Sequence, residues 1–170
     1  MSIRIFVALA PPAPVRSALV AARELALARF GGKPVPDHNL HLTLAFLGAT
    51  AEERLDELVS VVNAIPFTPL DLHLDEVGSF AGAKVVWLGS QQRHAGLDKL
   101  VAALWPGLRA AGFAFDAKDF NAHVTLLRKA VCPTHATAAV DWRADRLCIY
   151  ESVSGLSGVD YHVRHRRLAA

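Results

Sequence analysis

Residues 39–48 read NLHLTLAFLG. About half the chain later, residues 122–128 read AHVTLLR, so His41-Leu42-Thr43-Leu44 is echoed by His123-Val124-Thr125-Leu126. Both copies are built from residues that favour strands, and a strand sends successive side chains to opposite faces. In the first copy Leu40, Leu42, Leu44 and Phe46 fall on one face, which reads as core, while His41, Thr43 and Ala45 fall on the other. The second copy repeats the division, with Ala122, Val124 and Leu126 against His123 and Thr125. A strand with an apolar face behind and a small polar pair in front is suited to line a cleft. Two copies of so specific a pattern arise by chance in on the order of one in several thousand chains. Their spacing points to two pseudo-equivalent lobes, each contributing one copy.

Outward from the first copy, Ile3–Leu9 reads as a strand closed by Pro11-Pro12. Apolar residues at helical spacing predict a helix over Pro14–Phe30, stopped by Gly31-Gly32. Lys33–His38 reads as a loop. Thr50 with Glu53 has the form of a capping box, which predicts a second helix to Ala64. Leu70–Val77 and Lys84–Leu88 read as a hairpin, and His94–Ala111 as a helix that Pro106 should kink or end early. Strands follow at Ala122–Arg128, Arg146–Val153 and Tyr161–Leu168. With no regular βαβ repeat and no linker, the order predicts an α+β fold with antiparallel sheets, residues 1–170 forming a single bilobal domain.

The 170 residues are 52% hydrophobic and 20% charged, which excludes a disordered chain. No apolar stretch approaches the roughly 20 residues of a membrane span. The opening MSIRIFVALAPP is too soon ended by proline for an export signal, so no membrane partner and a cytoplasmic location are expected. A net charge of +2 excludes a general polyanion coat, so any nucleic-acid contact should be local, at a groove or a terminus. Cys132 and Cys148 lack CxxC spacing and read as buried thiols outside any disulfide. No exposed apolar seam stands out, and a monomer is expected.

Two imidazoles that titrate near neutrality suit one general acid and one general base. Two hydroxyls beside them can hold the oxygens of a compact tetrahedral anion, and a phosphodiester fits. Arg128 is the nearest cation, but strict alternation puts it on the core-face parity. It serves only if the strand ends or bulges near Leu127. No HExxH, cysteine cluster or carboxylate at ligand spacing accompanies the histidines, so no metal and no cofactor are expected. His38 lies in the loop before the first copy, His73 on the polar side of a strand, and His94 and His135 at loop or helix ends. His162 and His165 belong to the basic run YHVRHRR at 161–167, an exposed edge or a surface for an RNA backbone.

The paired HxTx copies resemble the signature of the two-histidine phosphoesterase superfamily, and within it the RNA 2′,3′-cyclic phosphodiesterase (2′-5′ RNA ligase) family. The opening RIFVAL strand, NLHLTLAFLG, VVWLG at 85–89, AHVTLLR and LCIYES followed by Tyr161 extend the likeness over essentially the whole chain. The family usually has Arg-Pro-Phe-x-Pro before the second histidine. Here Lys118-Asp119-Phe120-Asn121-Ala122 keeps a cation and an aromatic but loses both prolines, which puts substrate contacts of that stretch in question. The resemblance implies a bilobal fold with pseudo-twofold symmetry, antiparallel sheets lining a central groove and helices outside. It implies metal-independent opening of an RNA-terminal 2′,3′-cyclic phosphate to a 2′-phosphate, with 2′-5′ ligation as a reverse activity and tRNA fragments among the RNAs to be considered. By resemblance His41 is the proton donor and His123 the acceptor, with Thr43, Thr125 and Arg128 on the phosphate. The residues support the pair without orienting it. Two alternatives stay open: a relative acting on another cyclic or 2′-5′ phosphodiester, and a non-catalytic RNA-end binding module.

Overall fold

The apolar alternation of the sequence becomes strands that all pair antiparallel. The computed structural model describes residues 1–170 except 117, 119, 134 and 135, so His135 and Asp119 lie outside the described residues. The strands are β1 (Ser2–Leu9), β2 (Lys33–Pro34), β3 (Leu42–Ala51), β4 (Leu70–Phe80), β5 (Val85–Gly89), β6 (His123–Arg128), β7 (Ala136–Ala144), β8 (Arg146–Gly155) and β9 (Gly158–Leu168). The helices are α1 (Ala13–Phe30), α2 (Leu55–Ala64) and α3 (Ala95–Ala110). The sheet order is β7-β4-β5-β6-β3-β1-β8-β9, with β2 alongside β6.

This order divides into two four-stranded halves, β7-β4-β5-β6 and β3-β1-β8-β9, each with a motif strand innermost. The ladder between β3 and β6 is a single pair, Leu42 opposite Val124. Both side chains are fully buried. Each contributes about 1.5–3 kcal/mol from burial alone. They share one core with Ile5, Val7 and Leu9 of β1 and with residues of all three helices, such as Leu19, Leu58 and Leu104. The opposite face of β1 is also covered, since Phe6 and Ala8 pack with Cys148 and Tyr150 in a second, smaller cluster. No helix among the described residues is long and apolar enough to cross a membrane.

Three expectations are corrected. The capping box does not form. β3 continues to Ala51, Thr50 pairs with Ile3 of β1, and its hydroxyl donates to the Gly48 carbonyl at 3.2 Å. Pairing with β1 claims the backbone at Thr50, and the Glu52 N–H donates to the Met1 carbonyl. Pro106 does not end α3, which runs through it between the fully buried anchors Leu104 and Leu108. The strand β7 was not expected. Its alternation is plain only over Val140–Ala144, because the alanines before it carry no polarity contrast.

The segment before the first motif is clamped to α1. Arg23, buried to 8% exposure, donates to the Val35 carbonyl at 2.7 Å and pairs with Asp37 at 2.6 Å, and Arg16 donates to the Asp37 carbonyl. At the end of α1, Gly32 has φ +88°, and a Cβ there would lie 2.5 Å from the Arg128 carbonyl oxygen and 2.6 Å from Ala130 Cβ. Gly32→Ala should therefore destabilise the protein by about 2–4 kcal/mol, through left-handed strain plus overpacking. Urea unfolding at neutral pH reads this, and an unchanged midpoint would contradict the tight approach.

Candidate active site

The pairing of Leu42 with Val124 fixes everything around it by parity. In an antiparallel pair, moving one residue back on one strand matches one forward on the other. His41 therefore faces Thr125, and Thr43 faces His123, all four on the sheet face turned away from the core. The two motifs thus form a four-cornered arrangement of alternating imidazole and hydroxyl.

Each imidazole is oriented by a backbone carbonyl two residues before it. His41 Nδ1–H donates to the Asn39 carbonyl at 2.6 Å, and His123 Nδ1–H donates to the Asn121 carbonyl at 2.7 Å. A carbonyl only accepts, so in the neutral ring the proton sits on Nδ1 and Nε2 carries the lone pair. At His41 that lone pair accepts the Thr43 hydroxyl at 2.7 Å. Among the described residues no matching bond joins His123 to Thr125. The rings are backed by aromatics: Phe6 and Tyr161 lie 4.8 and 5.1 Å from His41, and Phe80 stands edge-on to His123 at 5.2 Å.

Burial makes charging either ring costly. It pushes His41 down from 6.5 to about 4; the Asn39 carbonyl opposes this, while the positive charges of His123 and Arg128 add to it. Burial also lowers His123, with the Asn121 carbonyl opposing. Both imidazoles are therefore neutral at pH 7 in the unliganded protein.

A cavity of about 160 Å³ holds His41, Thr43, Thr125 and Arg128, with no acidic side chain among the described residues on its wall. Arg128 reaches it because of a β-bulge. Across β5 and β6, Trp87 pairs with Thr125 and Val86 with Leu127, leaving Leu126 as the extra residue. Beyond the bulge the parity reverses, so Leu127 turns inward and Arg128 outward. The same device sits at the equivalent place in the first motif, where Ala8 pairs with Thr43 and Val7 with Ala45, leaving Leu44 extra. This corrects the expectation for Phe46. It is 44% exposed and lines the cavity instead of the core, as the positional counterpart of Arg128. His123 opens onto an adjoining cavity of about 310 Å³.

Four other histidines are engaged elsewhere. His38 pairs with Asp160 at 2.8 Å, His73 with Asp141 at 2.6 Å, and His94 caps α3 by accepting the Leu97 N–H. Most of the basic run on β9 is engaged within the protein. Arg164 pairs with Glu151 and Glu52, and Arg167 donates to the carbonyls of Val62 and Ile65 at the end of α2. His165 bonds Asn63. Among the described residues no group of three or more His, Cys, Asp or Glu side chains is placed to hold a metal ion.

Sequence reasoning missed Asn39. Besides orienting His41 through its carbonyl, its buried amide donates to the Val159 carbonyl at 2.7 Å and accepts the Tyr161 N–H at 3.2 Å. It thereby ties the first motif to the strand that carries Tyr161 over the cavity. The signal was present, because the repeat is Asn-x-His-x-Thr-Leu in both copies.

Asn39→Ala should cost about 1–3 kcal/mol in urea unfolding, because it strands two backbone groups of β9. A loss too small to measure would contradict that linkage. The histidines predict acid lability. Their folded pKa values lie below the unfolded value, so their contribution to stability is full above pH 6.5 and is lost as pH falls toward 4. The urea midpoint of the wild type should fall over this window, and His41→Gln should flatten the fall. Parallel profiles would contradict it.

Comparison with known proteins follows the same lines. Residues 9–87 match the LigT-like phosphoesterase family. The RNA 2′,3′-cyclic phosphodiesterase of Escherichia coli (strain K12) is 35% identical over 127 residues, covering 75% of this chain and 72% of that protein. The protein of that name from Thermus thermophilus is 32% identical over 140 residues, covering 74% and 68%. The crystal structure of E. coli LigT complexed with 3′-AMP superposes with a TM-score of 0.87 at 28% identity, over 99% of both chains. The chain belongs to the RNA 2′,3′-cyclic phosphodiesterase family of LigT-like, two-histidine phosphoesterases.

Proposed function

We propose that the protein opens the 2′,3′-cyclic phosphate at an RNA end to a 2′-phosphate by general acid–base catalysis between His41 and His123, without a metal. The observation that carries this reading is the pair of carbonyl-oriented imidazoles at two adjoining cavities, His41 on the one that holds both threonine hydroxyls and Arg128, and His123 on the other. All these groups come from one chain, so the two halves act as one unit and a monomer suffices. RNA ends, among them those of cleaved tRNAs, are the substrate class, met in the cytoplasm.

The phosphate occupies the small cavity, its nonbridging oxygens held by Thr43, Thr125 and Arg128. His123 Nε2 takes a proton from water as the oxygen attacks phosphorus. His41 Nε2–H gives a proton to O3′ as the P–O3′ bond breaks. The donor must be protonated, yet His41 is neutral at rest. The bound phosphodiester resolves this, because its negative charge offsets Arg128 and favours the imidazolium. Thr43, which donates to His41 Nε2 in the unliganded protein, is released to donate to the phosphate instead. An RNA 5′-hydroxyl in the place of water would give a 2′-5′ linkage by the same steps.

His41→Ala and His123→Ala should each lower kcat by about 10²–10⁴ on an RNA ending in 2′,3′-cyclic phosphate, with near-native circular dichroism. Full turnover in either variant would contradict the reading. The pH profiles add a sharper test. For the free protein both imidazoles titrate below 6.5, so kcat/KM should be bell-shaped with its maximum on the acid side of that value. The bound anion raises His41, so the acid limb of kcat should shift upward. A flat profile, or a kcat/KM maximum above neutral pH, would contradict it.

A further inference from the structure

The two bulges call for support from outside the ladder, because the extra residue of a bulge is left unpaired and its backbone groups must find other partners. In the second motif the support is backbone. The Leu126 carbonyl accepts the N–H of Val35, the residue after β2, at 2.9 Å, and the Val35 carbonyl is in turn held by Arg23 at 2.7 Å. In the first motif the ladder toward β6 stops at the pair of Leu42 with Val124. There the support is a side chain: Trp105 of α3 donates its indole N–H to the Leu44 carbonyl at 3.0 Å.

The same indole reaches the approach to the second histidine. It is half-buried and packs against the shared core. Its ring stands edge-on to Phe120 at 6.3 Å and leans on Phe115 at 5.4 Å, and the Arg109 guanidinium lies over the Phe115 ring at 5.3 Å. Phe120 lines the His123 cavity and immediately precedes Asn121, whose carbonyl orients the His123 ring. Trp105 therefore touches both the bulge beside Thr43 and the segment that leads into His123.

We propose that Trp105 is a positioning residue for the reaction: its N–H holds the bulge at Leu44, and so keeps Thr43 and Phe46 at the cavity, as the Val35 N–H does for Thr125 and Arg128. The inference rests on the phosphodiesterase reading. Trp105 is absent from the wall of the phosphate cavity and acts through the Leu44 backbone. Thr43 is the residue before the bulge, and its hydroxyl bonds His41 Nε2 at 2.7 Å. In the reaction that hydroxyl must reach the phosphate while His41 reaches O3′. A displacement of about 1 Å at such a place costs on the order of 10² in rate. A side chain on α3 thus does for one half what a backbone segment does for the other.

The test replaces Trp105 with benzothienylalanine, which keeps the bicyclic shape and lacks the N–H. Trp105→Phe is the second variant, keeping a ring against Phe115 and Phe120 without the donor. On an RNA ending in 2′,3′-cyclic phosphate each should lose about tenfold or more in kcat/KM, with the larger share in kcat and near-native circular dichroism. Affinity for inorganic phosphate, titrated without RNA, should weaken by about threefold or more in both. Phe115→Leu loosens the packing around the indole but leaves its N–H, so it should lower the urea midpoint while kcat/KM stays within about twofold of the wild type. Unchanged kcat/KM and phosphate affinity in the benzothienylalanine protein would overturn the inference alone, as would an equal loss in Phe115→Leu. A wild-type protein that binds phosphate but does not hydrolyse the RNA end would overturn the underlying reading, and the phosphate titration would then decide whether Trp105 holds the cavity in place.

Discussion

The cleft depends on one backbone bridge, between Leu42 and Val124. Both side chains are buried in the shared core, and this settles which face the neighbouring residues occupy. A one-residue slip of either strand would drive an imidazole into the core and a leucine or valine into the cavity, so the register is strongly specified. The two bulges depend on the same frame. Leu44 and Leu126 each take an extra place in their strand, and the parity they reverse brings Phe46 and Arg128 to the cavity from equivalent positions. The two halves therefore share a backbone plan and differ in the chemistry they place on it: a cation from one side, an aromatic ring from the other.

The same burial that orders the site leaves its charge incomplete. His41 is surrounded by Phe6, Tyr150 and Tyr161, faces the positive charge of Arg128, and has no carboxylate partner among the described residues. Folding favours the neutral ring, whereas the proposed donor needs the charged one. An anionic ligand is the partner that reconciles the two. It removes the repulsion from Arg128, supplies the missing counter-charge, and thereby couples protonation to binding. Burial lowers His123 as well, against the Asn121 carbonyl, and in the proposed reaction its lone pair serves the nucleophile.

Much of this was legible in the residues. The repeated His-apolar-Thr-Leu pattern located both motif strands and put all four side chains on one face, because period-two alternation needs no tertiary information. The need for a bulge if Arg128 was to serve was also legible. Its place at Leu126, and its twin at Leu44, were not, because a bulge depends on the partner strand. For that reason Phe46 read as core. Thr50 and Glu53 look like a cap in isolation, but pairing with β1 claims the backbone first. The basic run on β9 looks like a nucleic-acid surface until Glu52, Glu151 and the end of α2 come into contact with it. Asn39 was overlooked because its role joins residues 120 positions apart.

The central claim is that two histidines alone supply acid and base, with the P–O3′ bond as the one that breaks. The most direct measurement is to incubate the purified protein in EDTA with an RNA ending in 2′,3′-cyclic phosphate and to resolve the two phosphomonoester products. The account predicts a 2′-phosphate product at a rate unchanged by EDTA. A 3′-phosphate product, or activity lost in EDTA and restored by a divalent metal, would contradict it.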